Sequence, residues 1–182
     1  MNRLERDISE VLLGEDEIDQ KVKELAQKIY EDYREKDLIL VSILKGSVVF
    51  LVHLMKYLPI GFAIDFIEIS TYEGTKSTGV VRLIADVRES IEGKDVLIIE
   101  DIVDTGLTLA YLKENLLTRR PRSLKICVLL DKYERRQIKV DLDYVGFSIP
   151  DKFVVGYGLD YNERYRNLPY IGVLKPEIFS SE

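Results

Sequence analysis

Cysteine is almost missing from these 182 residues: Cys127 is the only one, and it lies inside the aliphatic run LKICVLL. A lone thiol closes no disulfide within the chain, and this setting predicts a buried strand side chain rather than a nucleophile, so thiol redox chemistry drops out. Histidine is equally scarce. His53 has no second histidine beside it, which excludes a histidine-rich metal or catalytic cluster and leaves it a structural part. Positive charge is in deficit: 26 Lys and Arg face 32 Asp and Glu, a net charge of −6 with a pI near 5.0. That balance argues against a general nucleic-acid coat, which needs clustered basic residues against phosphate. Any anionic ligand then requires a local positive site or a metal. No apolar run approaches the roughly 18 residues of a membrane span. The start, MNRLERDISEVLL, carries acids where a secretory leader has a basic region; a cytoplasmic setting with no membrane contact is expected. Repeats, low-complexity tracts and Pro/Gly/Ser linkers are absent too. A chain of this length, 46% hydrophobic, suits a single well-cored domain over residues 1–182.

What is present is an alternation of β-branched runs and amphipathic segments. Ile18, Val22, Leu25, Ile29 and Tyr33 recur at steps of three and four, which predicts an amphipathic helix with Asp16 as its N-cap. DLILVSIL is too short and too β-branched for a helix; it leads through Lys45-Gly46-Ser47 into VVFLVHLMKYL, giving strand, glycine turn, helix. FAIDFIEIS and VVRLIA alternate as strands do, and TYEGTKSTG between them, polar and glycine-punctuated, reads as a mobile loop. VLIIED, a helix from about Thr108 to Leu117, LKICVLL, and the short β runs YVGFSI, FVVGYG and YIGVL complete the order. Continuous rather than alternating hydrophobicity in three strands means that both faces are covered. That pattern predicts an α/β fold with a mostly parallel sheet flanked by helices.

In open α/β sheets ligands bind beyond the carboxyl ends of the strands. Three polar clusters fall at such ends: Lys45-Gly46-Ser47, Glu100 to Thr108, and Asp131-Lys132. Asp104, Thr105, Gly106, Leu107 and Thr108 feed a helix, so they offer successive backbone amides, hydroxyls and a helix's positive end, a cradle suited to phosphate. Glu100 and Asp101 repel phosphate, but they can accept hydrogen bonds from vicinal sugar hydroxyls or hold Mg²⁺ through oxygen. Together these features read as a sugar-phosphate site. A buried strand ending in solvated acids accounts for Glu100 and Asp101 alone, not for the turn that follows. No G-x-x-x-x-G-K-[ST] occurs, and GYGLDY at Gly156 lacks the third glycine of a dinucleotide fingerprint. Asp101 and Asp104 are three apart, whereas acid-rich phosphohydrolases place two aspartates two apart; that alternative fits only loosely.

VLIIEDIVDTGLTL resembles the phosphoribosyl pyrophosphate (PRPP) signature of the type I phosphoribosyltransferases. LKGS, STYEGTKSTG, LLDK and IPDKFVVGYGLDYNERYRNLPYIGVL resemble, in family order from about Leu38 to Leu174, the further landmarks of hypoxanthine-guanine phosphoribosyltransferase. The resemblance implies the type I fold, with a small hood from the C-terminal β segments (about 144–175) and a mobile lid (about 70–79). It implies transfer of ribose 5-phosphate from PRPP to N9 of hypoxanthine or guanine, in a homodimer or homotetramer with no nucleic-acid partner. On that resemblance Glu100 and Asp101 hold the ribose hydroxyls and water on Mg²⁺, and Asp104, Thr105, Gly106, Leu107 and Thr108 cradle the 5-phosphate. Asp104 also exchanges the proton at purine N7. Lys45 and Gly46 match the pyrophosphate loop, with its backbone amides and often a non-trans peptide, and Arg166 adds charge there. Lys132 donates to the purine 6-oxygen, Phe153 stacks on the ring, the Val154 backbone meets the Watson–Crick edge, and Asp160 lies beside the base and a second metal. Ser70, Thr71 and Tyr72 open the lid, where this chain has Thr-Tyr in place of the family's usual Ser-Tyr. Two other readings remain. A PRPP-sensing regulator of the same fold needs a basic face or an added module to grip nucleic acid; a phosphoribosyltransferase for another base needs a different pocket.

Overall fold

The stretches that pack apolar side chains on both faces, Leu38–Leu44, Asp95–Val103 and Ser123–Asp131, become the central sheet strands, and the one-sided stretch Glu15–Tyr33 becomes a helix laid over them. The structure, a computed structural model, describes residues 4–71 and 81–180. In chain order these are β1 (Ile8–Leu13), α1 (Glu15–Tyr33), β2 (Leu38–Leu44), α2 (Ser47–Lys56), β3 (Phe62–Thr71), β4 (Val81–Ala85), β5 (Asp95–Val103), α3 (Leu107–Leu117), β6 (Ser123–Asp131), β7 (Tyr144–Ser148), β8 (Val154–Val155), β9 (Ile171–Leu174) and α4 (Pro176–Phe179). The main sheet has the order β4-β3-β2-β5-β6-β7. It is parallel throughout except for β4, which runs antiparallel to β3. This is the α/β architecture that the continuous apolar runs predict.

Alternation along the central strands sorts the core into two layers. Leu38, Leu40, Leu97, Ile99, Cys127 and Leu129 face α1 and α2, while Ile39, Val41, Val96, Ile98, Ile126 and Val128 face α3. Cys127 is a free, fully buried thiol, and burial pushes its pKa far up, so it is inert as expected. All five periodic residues of α1 are buried. Asp16 is not the N-cap: Gly14 is, with no side-chain cap, and Asp16 falls in the first turn beside Glu15 and Glu17. Their charges complement the helix's positive end. The helix tolerates the missing cap, worth roughly 1 kcal/mol, because burying each large apolar side chain contributes roughly 1.5–3 kcal/mol.

A second, three-stranded antiparallel sheet, β1-β9-β8, forms the hood. It differs from the expected segment at both margins. β7 belongs to the main sheet as its edge strand, and β1, from the N-terminus, joins the hood beside β9. β1 carries no signal that reasoning on periodicity could find, since its pattern of exposure does not alternate. Of FVVGYG only Val154 and Val155 pair as strand, because Gly156, Tyr157 and Gly158 all take positive φ and turn the chain back. Ser70 and Thr71 close β3; Tyr72 and the rest of the expected lid lie outside the described residues. Among the described residues no helix is long and apolar enough to cross a membrane.

Candidate active site

Strands β2, β5 and β6 are neighbours in the sheet, so the polar clusters after them meet. They wall a cleft of about 360 Å³ with the hood as its far side: Lys45, Gly46, Glu100, Asp101, Asp104, Lys132, Phe153, Val154, Asp160 and Arg166 all line it. Thr105, Gly106, Leu107 and Thr108 continue from Asp104 as the turn into α3, and neither they nor Ser70 are among its walls.

The acid pair lies two residues before the end of β5, in dry surroundings. Asp101 is 7% exposed; its Oδ1 accepts from the Ile102 amide at 2.8 Å. Its Oδ2 lies so close to Gly46 that an added Cβ there would come within 1.8 Å and force the Asp101 carboxyl to move. The Leu44–Lys45 peptide just before is cis, the non-trans form the resemblance implies for this loop. Glu100 Oε2 is buried without a hydrogen-bond partner. Burial, then the neighbouring Asp101 charge, pushes the Glu100 carboxyl well above its usual range, and burial raises Asp101 against the pull of the Ile102 amide. Two crowded carboxyls with an orphaned oxygen form a hard-oxygen donor set that fits a divalent cation such as Mg²⁺. Among the described residues no three His, Cys, Asp or Glu side chains converge closely enough to hold a metal unaided. Asp160 is instead turned to Arg166, at 2.9 Å.

At the turn, Gly106 has φ +85°, a left-handed conformation, and a Cβ on it would sit 2.7 Å from the Ile138 carbonyl oxygen. The amides of Gln137 and Ile138 donate to Thr105 O at 3.0 and 3.2 Å and strap the turn from outside. The opening amides of α3 have no intrahelical acceptors, which with the helix dipole makes an anion site. Asp104 Oδ1 is buried without a hydrogen bond and forms an ion pair with Arg135 Nε at 3.0 Å. Arg135 also lies 3.6 Å from Asp151 Oδ1, which is 3.8 Å from Lys132 Nζ. Lys132 is 6% exposed, and its amide donates to Val103 O at 2.9 Å. A buried ammonium lining a cleft is not a solvated surface lysine.

Phe153 keeps 39% exposure while stacking on Phe179 of α4 (centroids 4.6 Å apart, 17° between planes) and meeting Tyr161 edge-on at 5.6 Å. Arg166 donates to Gly158 O at 2.8 Å and lies 3.3 Å from Glu163, whose other oxygen pairs with Lys45 at 3.0 Å. Lys45 and then Arg166 hold the Glu163 carboxyl below its usual range. Arg135, Asp151, Glu163 and Phe179 escape the reading of the sequence; Arg135 meets Asp104 and Glu163 meets Lys45 by long-range contacts that no local spacing encodes. A larger cavity, about 600 Å³, lies between α1, α2 and residues 166–169. It lacks the acid pair and the turn into α3, whereas the smaller cleft is lined by Glu100, Asp101 and Asp104.

Residues 13–162 match the family model for the phosphoribosyl transferase domain. The chain is 52% identical over 179 residues to the hypoxanthine-guanine phosphoribosyltransferase of Staphylococcus aureus, covering 98% of this chain and 100% of that one. It is 47% identical to the Streptococcus pyogenes protein of the same name, covering 97% and 99%. A crystal structure of a hypoxanthine phosphoribosyltransferase from Staphylococcus aureus superposes with a TM-score of 0.94 at 51% identity, covering 98% and 97%. One of the Trypanosoma cruzi enzyme gives 0.90 at 45%, covering 95% and 94%. By likeness of sequence and fold along almost its whole length, the chain belongs to the hypoxanthine-guanine phosphoribosyltransferases of the phosphoribosyl transferase domain family.

Proposed function

We propose that this chain, as one phosphoribosyltransferase domain, transfers ribose 5-phosphate from PRPP to N9 of hypoxanthine or guanine, forming IMP or GMP and pyrophosphate. The observation that carries the reading is the convergence on one cleft of Lys45 and Gly46 behind β2, Glu100 and Asp101 in the last part of β5 with Asp104 just behind it, Lys132 behind β6, and Arg166 from the hood. In this reading the amides and hydroxyls of Asp104 to Thr108 hold the 5-phosphate at the positive end of α3. Glu100 and Asp101 accept hydrogen bonds from the ribose hydroxyls. Lys45 and Arg166 face the pyrophosphate, whose charge grows as its bond to C1 breaks, and fixed donors placed there lower the barrier. Asp104 handles the purine N7 proton. Lys132 has donors only, which suits a 6-oxo group and not the 6-amino group of adenine. Phe153 offers its ring face to the base, and the Val154 backbone its hydrogen-bonding groups. Mg²⁺ held by Glu100 and Asp101 through water, with a second site at Asp160, would supply neutralising charge at the pyrophosphate. Ser70, Thr71 and Tyr72 belong to a lid that keeps water out. The proposed assembly is a homodimer or homotetramer, in the cytoplasm.

The test incubates the protein with PRPP and Mg²⁺ and, separately, hypoxanthine, guanine, xanthine, adenine or uracil. Nucleotide should form from hypoxanthine and guanine, not from adenine or uracil, and thorough EDTA treatment should abolish it. Failure of every base overturns the reading; turnover undiminished by EDTA overturns the part given to the metal.

A further inference from the structure

We infer that His53 is a positioning residue for the pyrophosphate end of the cleft, acting through Tyr157 on the contact between Gly158 and Gly46. The inference rests on the reading of Lys45, Gly46 and Arg166 as the pyrophosphate wall. His53, on α2, stands with Nδ1 2.5 Å from the Tyr157 hydroxyl and Nε2 2.8 Å from Asp19 Oδ1. Hydrogen bonds from Lys23, then Tyr57, then His53 hold the Asp19 carboxyl far below its usual range, so it accepts. Burial, then the Asp19 charge, pushes the Tyr157 phenol up, so it keeps its proton. With the ring neutral and its hydrogen on Nε2 facing the Asp19 carboxylate, Tyr157 donates to Nδ1.

Tyr157 is the apex of a turn, with φ 48° between two glycines at φ 100°. The amides of Tyr157 and Gly158 donate to the carbonyls of Leu168 and Arg166 at 2.8 and 2.9 Å. The turn presses on the pyrophosphate loop: a Cβ on Gly158 would lie 2.1 Å from Gly46 O. The Gly158 carbonyl in turn accepts from Arg166 Nη1 at 2.8 Å. One phenol hydrogen bond thus ties α2 to the turn that abuts Gly46 and holds the Arg166 guanidinium. Lys132, Phe153 and Asp104 take no part in it, so its loss should be felt by PRPP and not by the base.

Asparagine places its side-chain oxygen near the position of histidine Nδ1, and glutamine its amide nitrogen near that of Nε2. His53→Asn therefore keeps the acceptor for Tyr157, and His53→Gln keeps only the donor for Asp19. Tyr157→Phe removes the hydroxyl alone. In Tyr157→Phe and His53→Gln the KM for PRPP, and for pyrophosphate in the reverse direction, should rise about three- to ten-fold, the range spanned by one lost hydrogen bond. KM for hypoxanthine should stay at the wild-type value, His53→Asn should be near wild type for both, and the double variant should be no worse than either single one. Amide hydrogen exchange at residues 156–158 reads the same lock without turnover, and it should quicken in the first two variants and not in His53→Asn. Equal rises in both KM values, or rescue by Gln and not Asn, overturns the positioning role. A wild-type protein inactive on PRPP overturns the proposed function alone, and the exchange pattern then decides the lock.

Discussion

Asp104 illustrates how much a single side chain owes to its surroundings. One of its oxygens is buried against Arg135 without a hydrogen bond, while the side chain as a whole stays 42% exposed toward the cleft. In the proposed reaction the other oxygen would take part in the proton transfer, and a positioned carboxylate in that part typically contributes about 10²–10⁴-fold in rate. Asp104→Asn is nearly isosteric and leaves the turn's backbone intact. Its kcat should therefore fall within that range while its melting temperature stays within a few degrees of wild type, measured by steady-state kinetics and calorimetry on one preparation. Undiminished kcat would remove Asp104 from the chemistry.

In the proposed reading the element that holds the phosphate is the turn into α3, whose conformation depends on its backbone as much as on its side chains. Gly106 combines a left-handed φ with a close approach to the Ile138 carbonyl, so an alanine there meets both a conformational penalty and a clash with backbone. A substitution of that kind costs about 1–3 kcal/mol, which in a domain of this size lowers the melting temperature by about 2–4 °C per kcal/mol. Gly106→Ala should melt lower by that amount and show a raised KM for PRPP, read by calorimetry and kinetics. The glycine, the hydroxyls and the helix start were legible because turn chemistry is local. The strap of Gln137 and Ile138 across Thr105 was not, since it joins two loops that only the pairing of β5 with β6 brings side by side.

For the whole molecule, the acid pair sets function against stability. A carboxyl whose folded pKa lies above its unfolded value, about 4.3 for Glu, leaves the fold unpenalised below that value. It destabilises progressively as pH climbs from there through the raised folded pKa. Glu100 is raised in this sense by burial and by Asp101, so the metal-free protein should lose stability across that window. Glu100→Gln, which has no charge to desolvate, should melt about 2–4 °C above wild type at pH 8 in EDTA, the shift that about 1 kcal/mol produces at this size. At pH 5 the difference should shrink toward zero. Mg²⁺ with PRPP should raise the melting temperature of wild type more than that of the variant. Calorimetry across the pH range checks all three, and a variant that melts lower at pH 8 would show the pair to be fully compensated without a cation.

The amino-acid order by itself determined the covered parallel sheet, the helix faces and the residue types at three strand ends, because hydrophobic periodicity and turn residues act over a few positions. Together with the resemblance to a known family, it also marked ten residues that turn out to wall one cleft. Tertiary structure alone decided that β1 joins the hood, that Asp101 fills the space Gly46 leaves open, and that Asp19, His53 and Tyr157 form a chain behind Arg166. Such contacts depend on which distant segments the sheet order sets side by side, and a side chain's neighbours across that distance leave no trace in its local sequence.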